Sequence, residues 1–269
     1  MSWWLLRRGW PMPWMADLSQ PSRRAGRVLA RYRHIGGGAV QPWHLRSVPV
    51  CSSTEPLLGA WLRDKPSLDG PRAVIATRQR RGTGQWGRRW LSPPGGVWLS
   101  AALPWNGRGG GRAGLLGLAL AVSMAERLEY HGVSVQIKWP NDLLVEGRKL
   151  AGLLPAVVQR GCDIRLLRIG LGLNVSNRVP VGAVALRQCS GISMVHPDHW
   201  VAEVLLALDR CQQAGGDGTW CLEGLKKRLW ADHLRHPRDG QIWQIAGVDA
   251  DGALQLCLGD RIERWHRWP

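Results

Sequence analysis

Between positions 138 and 154 the chain reads KWPNDLLVEGRKLAGLL, which puts Lys138, Asp142 and Lys149 in one short stretch with two turn signals. Pro140 lacks the N–H that a β-ladder needs, and with Asn141-Asp142 it marks a sharp bend. Glu146-Gly147-Arg148 reads as a second turn, so residues 143–145 and 149–154 pair as a hairpin. Such a hairpin draws Lys138, Asp142 and Lys149 toward one end of a sheet. Two ammonium groups beside a carboxylate suit a polyanionic substrate, one lysine holding phosphate while the other meets charge that develops during reaction. The same residues also fit a plain hairpin with solvated charged ends, because short motifs match by chance.

A second cationic stretch, QRRGTGQWGR, runs from Gln79 to Arg88. Gly82, Gly84 and Gly87 allow tight turns that present N–H groups to an anion, and the arginines add charge-assisted bonds to phosphate. It is not a Walker A loop, since no G-K-[ST] is present. Its G-x-G-x-x-G spacing leads to strand-like VWLSAAL rather than to a helix, which excludes a dinucleotide fingerprint. Ser52-Ser53-Thr54-Glu55 caps a helix and also sets hydroxyls and amides where a small polar ligand can be held. Gly170-Leu-Gly-Leu-Asn174 closes an apolar strand, with glycines for close approach and an amide at Asn174.

The elements that must position these residues follow from pattern. Strands are expected at 47–51, 72–77 and 97–103, at 133–137 before the hairpin, and at 163–175. Helices are expected from the Ser-Ser-Thr-Glu cap through Leu62, then at 112–130, 198–213 and 219–234. From Gly240 short alternating runs around Asp-Ala-Asp-Gly predict a small three-stranded unit. The fold class is therefore α+β: a mixed sheet with flanking helices over 47–235 and a small β-barrel-like domain over 236–269.

A chain of 269 residues can bury a large core plus one small appendage. Its net charge of +16 permits attraction to nucleic acid, nucleotides or an acidic protein without choosing among them. Lys65, Lys138, Lys149, Lys226 and Lys227 are the only lysines, so the basic excess is overwhelmingly arginine. The six cysteines show neither C-x-x-C nor paired spacing, which fits a reducing, cytoplasmic setting without zinc or disulfides. No apolar run reaches the roughly 18 residues of a membrane span. Residues 1–54 hold eight arginines against one acid, Asp17, and many of the first residues are Trp or Pro. Residues 1–46 are expected to form a poorly ordered extension, too short and too rich in Gly and Pro for a DNA-binding domain. Removing residues 1–44 is then expected to leave the chemistry unchanged.

Taken in order, these stretches resemble the biotin protein ligases over roughly residues 47–269. Residues 82–88, followed by Trp90 and Ser92-Pro93-Pro94-Gly95, are similar to that family's GRGRxGR-x-W-x-SP-x-G. Residues 138–142 match its KWPND, 147–154 its GRKLAGIL and 170–174 its GIGIN. The resemblance implies a monofunctional ligase without a DNA-binding domain. Biotin and ATP with Mg²⁺ would give biotinyl-5′-adenylate, and a lysine of the biotin carboxyl carrier protein of acetyl-CoA carboxylase would then take the biotinyl group. It implies that Ser53, Thr54 and Gln79 hold the ureido ring, Trp90 walls the pocket and Gly152 lines the biotin channel. Lys149 would neutralise the biotin carboxylate and α-phosphate, with Lys138 and Asp142 nearby. Arg88 and the amides around Gly82, Gly84 and Gly87 would hold phosphate, and Asn174 would face adenine; metal ligands are not assigned.

Two departures stand out. Thr83-Gly84-Gln85 replaces the usual Arg-x-Arg, and Glu55 replaces an asparagine after Ser53-Thr54. Arg78, Arg80 and Arg81 can restore charge but not geometry. A lipoate–protein ligase shares the fold class and chemistry, but KWPND with GRKLAG favours biotin. A basic, non-catalytic nucleic-acid-binding protein fits the charge and leaves the lysine-glycine constellation unexplained.

Overall fold

The computed structural model describes residues 22–38, 40–108, 113–161, 163–214 and 217–268. Its centre is a mixed sheet of eight strands: β1 (His44–Cys51), β2 (Arg72–Thr83), β3 (Arg89–Ser92), β4 (Val97–Arg108), β5 (Gln136–Lys138), β6 (Asp142–Val145), β7 (Arg148–Arg160) and β8 (Asp163–Leu173). The order is β1-β2-β4-β8-β7-β6-β5, with β3 paired to β2 alone. Only β1 and β2 run parallel, joined by the crossover helix α2 (Thr54–Asp64). The long antiparallel pairs β4–β8 and β7–β8 form the middle.

Period-two alternation sorts the side chains between two layers. Ala73 and Ile75 of β2 and Leu99, Ala101 and Leu103 of β4 face the main core with α3 (Ala113–Tyr130), α4 (Pro197–Gln213) and α5 (Gly218–Lys226). Val74 and Ala102 point the other way, where Leu58 and Trp61 of α2 cover them. Each such large side chain contributes roughly 1.5–3 kcal/mol when fully buried. The face under α2 is only partly covered, and that gap holds the site described below. Arg112, expected to open the helix over 112–130, lies outside the described residues.

The N-terminal expectation needs correction where the structure describes it. Residues 23–36 form a helix, α1 (Arg23–Gly36), capped by Ser22, whose side chain accepts from Ala25 N, and ended by Gly37 at φ 66°. Ala25, Val28 and Tyr32 make a buried stripe against α4 at helical spacing. The Tyr32 hydroxyl bonds to Asp209 of α4, Trp43 Nε1 donates to the same carboxylate at 2.7 Å, and Gln41 N donates to the tyrosine oxygen at 2.8 Å. Burial raises the pKa of both Tyr32 and Asp209. Residues 1–21 of the expected extension lie outside the described residues.

The three strands expected after Gly240 are present as β10 (Ile242–Val248), β11 (Leu254–Leu258) and β12 (Arg261–Trp265), and β9 (His233–Arg235), before Gly240, adds a fourth, all antiparallel. The helix expected to run to residue 234 stops at Lys226. Tertiary hydrogen bonds override its periodicity: Ile137 N donates to Arg228 O at 2.6 Å and Trp230 N to Ile137 O at 3.2 Å, so the chain runs along edge strand β5. Trp139 Nε1 donates to Gly252 O and Trp268 Nε1 to Trp139 O, tying the small sheet to the large one. No helix among the described residues is long and apolar enough to cross a membrane.

Candidate active site

The hairpin expected around Gly147 is present, with β6 and β7 joined through Glu146 and Gly147, both at positive φ. Register sets its chemistry. Asp142 stands opposite Gly152, and Gly152 stands opposite Gly172 on β8, so one row across the sheet carries a carboxylate and two bare backbones. A Cβ on Gly152 would lie 3.0 Å from the Trp90 ring, and one on Gly172 only 2.6 Å from it. The indole therefore lies directly on a glycine floor that no other residue type permits. Lys149 Nζ sits 4.9 Å from the centre of that ring and 2.7 Å from Asp142 Oδ1, as an ion pair not aligned for a hydrogen bond.

The glycine-arginine stretch is a hairpin tip rather than a free loop. Strand β2 continues to Thr83, a single 3₁₀ turn spans Gln85–Gly87, and β3 returns along β2 with a register shift between Gln79 and Gly82. Gly82 is required there because a Cβ would lie 2.7 Å from Ser92 Oγ and 2.8 Å from Trp90 O. That shift aims Gln79 inward. Its Oε1 accepts from Thr54 N at 2.8 Å and lies 3.2 Å from Thr54 Oγ1, and its Nε2 donates to Ser92 Oγ at 2.9 Å. Thr54 Oγ1 lies 2.8 Å from Ser100 Oγ, which completes a polar chain of four side chains. Ser53 caps α2, its side chain accepting from Glu55 N.

Most of these groups line one cavity of about 660 Å³ at the N-terminal end of α2, with Ser92 and Gly82 behind its wall. Of the expected site residues, Ser53, Thr54, Gln79, Gly84, Arg88, Trp90, Asp142, Lys149, Gly152 and Asn174 are on its wall. Gly82 and Gly87 are not; they shape the hairpin that carries the others. Lys138 stands opposite Asp142 in register but is exposed and off the wall, because β5 is the last strand of the sheet and lies beyond the rim. The hairpin thus brings Lys149 and Asp142 together in the cavity and leaves Lys138 off its wall. Asn174 is buried, its Nδ2 3.4 Å from Lys149 O and its Oδ1 accepting from Asn177 Nδ2. It thus ties the lysine strand to the loop after β8.

Sequence reasoning missed Ser100, whose signal was a lone hydroxyl in the apolar run VWLSAAL. It also missed the partner of Glu55, which forms an ion pair with Arg168 of β8 beside the cavity. The one group of metal-type ligands among the described residues is His131, His199 and Glu203, away from the cavity wall. Arg127 Nε donates to Glu203 Oε2 at 2.6 Å and Arg31 Nη1 lies 3.3 Å from His199 Nδ1, so arginines already serve that cluster. It is a polar network around buried Glu203 and His199 that joins α1, α3 and α4.

One side of the cavity thus offers neutral donors and acceptors and another an ammonium with arginines, as a molecule with a polar ring and an anionic end requires. Residues 49–174 match the model of the biotin/lipoate A/B protein ligase family. Over 240 residues the chain is 37% identical to the bifunctional ligase/repressor BirA of Escherichia coli, covering 81% of this chain and 70% of that protein. It is 32% identical over 127 residues to the biotin–[acetyl-CoA-carboxylase] ligase of Paracoccus denitrificans, covering 46% of this chain and 52% of that one. The biotin protein ligase from Aquifex aeolicus, solved with biotin and ATP, superposes with a TM-score of 0.66 at 20% identity, over 84% of this chain and 96% of that one. The chain belongs to the biotin protein ligases.

Proposed function

We propose that the protein activates biotin with ATP as biotinyl-5′-adenylate and transfers the biotinyl group to a lysine of a biotin carboxyl carrier protein, in the cytoplasm. The observation that carries this reading is the pairing, in one cavity, of the linked Thr54, Gln79 and Ser100 side chains with the Lys149–Asp142 pair. A ureido ring has N–H donors and a carbonyl acceptor that such a chain can match, whereas a dithiolane ring has neither. A carrier that serves acetyl-CoA carboxylase is suggested by the name of the Paracoccus relative. Free cysteines at 51, 189, 211, 221 and 257 suit a reducing compartment.

In the first step a biotin carboxylate oxygen attacks the α-phosphorus of ATP and pyrophosphate leaves. Lys149 neutralises both anions as they approach and gains most where charge builds on the α-phosphate oxygens. Asp142 fixes the ammonium in place, and Trp90 walls the cavity against water. Arg88 and the amides of the β2–β3 hairpin hold phosphate oxygens, and Asn174 faces the adenine end. Asp142, whose buried Oδ1 has no hydrogen-bond partner, would hold Mg²⁺ here, since Mg²⁺ takes few protein ligands when phosphates supply the rest. The ion would neutralise charge on the departing pyrophosphate. In the second step the carrier amine attacks the mixed anhydride carbonyl and AMP leaves. Purified protein given biotin and α-labelled ATP should form labelled biotinyl-adenylate, and added carrier should become streptavidin-reactive. Adenylation of lipoate in preference to biotin would overturn the reading.

A further inference from the structure

Trp86 stands at the tip of the β2–β3 hairpin, 60% exposed and in the left-handed region at φ 59°, ψ 28°. A bulky side chain at positive φ is disfavoured, as is a tryptophan left in water. Its neighbours Gln85 and Arg88 line the cavity, but Trp86 does not, so its ring lies on the outer lip. Leu91 of β3, 48% exposed, lies on the cavity wall inside that lip. Around them Arg78, Arg80, Arg81 and Arg89 are all exposed, and none is in an ion pair among the described residues. From Gly70 to Ala125 the sequence holds no Asp or Glu, so nothing local neutralises this lip.

A lysine of another protein that enters this cavity must cross that ring of positive charge. Its ammonium is repelled unless the segment carrying it brings carboxylates of its own. We propose that Trp86 and the arginines around it form the docking lip for the carrier, taking an acidic, partly apolar segment that flanks the acceptor lysine. This rests on the ligase reading above. The arginines pair with the flanking acids and Trp86 anchors the contact by burying its ring, as aromatic residues do at the centres of interfaces. Basic proteins that expose lysines are turned away by the same charge.

The test separates the two half-reactions with a purified biotin carboxyl carrier domain whose acceptor lysine is flanked by acidic residues, and with a version whose flanking acids are amides. Trp86→Asn keeps a residue type that tolerates positive φ, and Trp86→Phe restores an aromatic ring. Pyrophosphate release without carrier should be unchanged in both variants. KM for the acidic carrier should rise about ten- to thirty-fold in Trp86→Asn and recover in Trp86→Phe. With the wild-type enzyme, the amide carrier should show a similarly raised KM, and added salt should raise KM for the acidic carrier only. An unchanged carrier KM in Trp86→Asn, or an amide carrier as good as the acidic one, overturns the proposal. Loss of pyrophosphate release in Trp86→Asn overturns it too, by moving Trp86 to the nucleotide. Absence of adenylation in the wild type would instead sink the ligase reading.

Discussion

Replacing Gly172 by alanine tests whether the glycine floor sets the position of Trp90. The added Cβ would lie 2.6 Å from both Trp90 Cε2 and Nε1. Ordinary carbon contacts need roughly 3.5–4 Å, so the ring must move by about 1 Å. Strand β8 cannot recede, because at this row it is held by β4 on one side and β7 on the other, with Gly172 opposite Trp98 and Gly152. Strand β3 pairs only with β2, so Trp90 is the part that yields. Its ring then leaves the Lys149 ammonium. A displacement of that size near reacting groups costs about 100-fold in rate, equivalent to roughly 2.7 kcal/mol. Overpacking should lower stability by about 1–3 kcal/mol. Gly170→Ala places its Cβ at 3.4 Å from Leu154 Cβ, an ordinary contact, and should leave the melting temperature near wild type. The assay is biotin-dependent pyrophosphate release in wild type, Gly172→Ala, Trp90→Ala and the double variant. Without the indole the new methyl meets no ring, so Gly172→Ala should cost almost nothing in the Trp90→Ala background. An equal cost in both backgrounds would refute the reasoning, since the glycine would then act on substrate directly.

Lys149→Ala should cost about 10²–10³ in adenylation at unchanged fold, measured by pyrophosphate release with circular dichroism alongside; a wild-type rate would remove Lys149 from the reaction. Deleting residues 1–44 should now yield an unstable protein, because it strips α1 from the core, and Tyr32→Phe alone should lower stability by about 1–3 kcal/mol in urea titration. A fully active, stable truncation would contradict the packing. Gln85 is on the cavity wall and Arg81 is not, so Gln85→Arg should slow release of labelled biotinyl-adenylate about ten- to a hundred-fold, one charge-assisted hydrogen bond being worth roughly 1.5–3 kcal/mol. No slowing, with faster release from Arg81→Ala, would make the upstream arginines the clamp. Burial, aided by His131, Arg31 and Arg127, lowers the His199 pKa despite Glu203. Below about pH 6.5 the unfolded chain therefore takes up a proton before the folded one. The stability contributed by neutral His199 is present above that pH and is lost as pH falls toward the folded value. Urea midpoints between pH 7 and 5 should fall less in His199→Asn than in wild type, and parallel curves would exclude His199 as the cause.

Much of the site was legible because its chemistry lies in local motifs. The Lys149 hairpin, the Ser53 cap and the glycines of 170–174 occupy the elements that their spacing called for. What failed to show depends on partners distant in sequence. Lys138 looks equivalent to Lys149 in sequence, yet it sits on the sheet's last strand, a position that strand order alone decides. Ser100 gains a role only when β4 carries it under Thr54, 46 positions away in the chain. The N-terminal helix was hidden for a different reason: arginine dominates its surface and gives the segment the composition of a tail. Its cap at Ser22, its stripe of Ala25, Val28 and Tyr32, and its stop at Gly37 were all present to be read.

The contact between Tyr32 and Asp209 spans 177 residues of chain. At a synthesis rate of about 5–20 residues per second, α1 leaves the ribosome roughly ten to thirty-five seconds before α4. A helix of 14 residues is marginal alone, and through that interval its apolar stripe can rest on β1 but not on α4. Helix α1 is therefore made well before the helix it docks on. Until α4 emerges, the nascent chain offers α1 to chaperones, or to the α4 of a neighbouring copy on the same messenger. The slower translation runs across residues 37–213, as at low temperature, the longer α1 waits for α4.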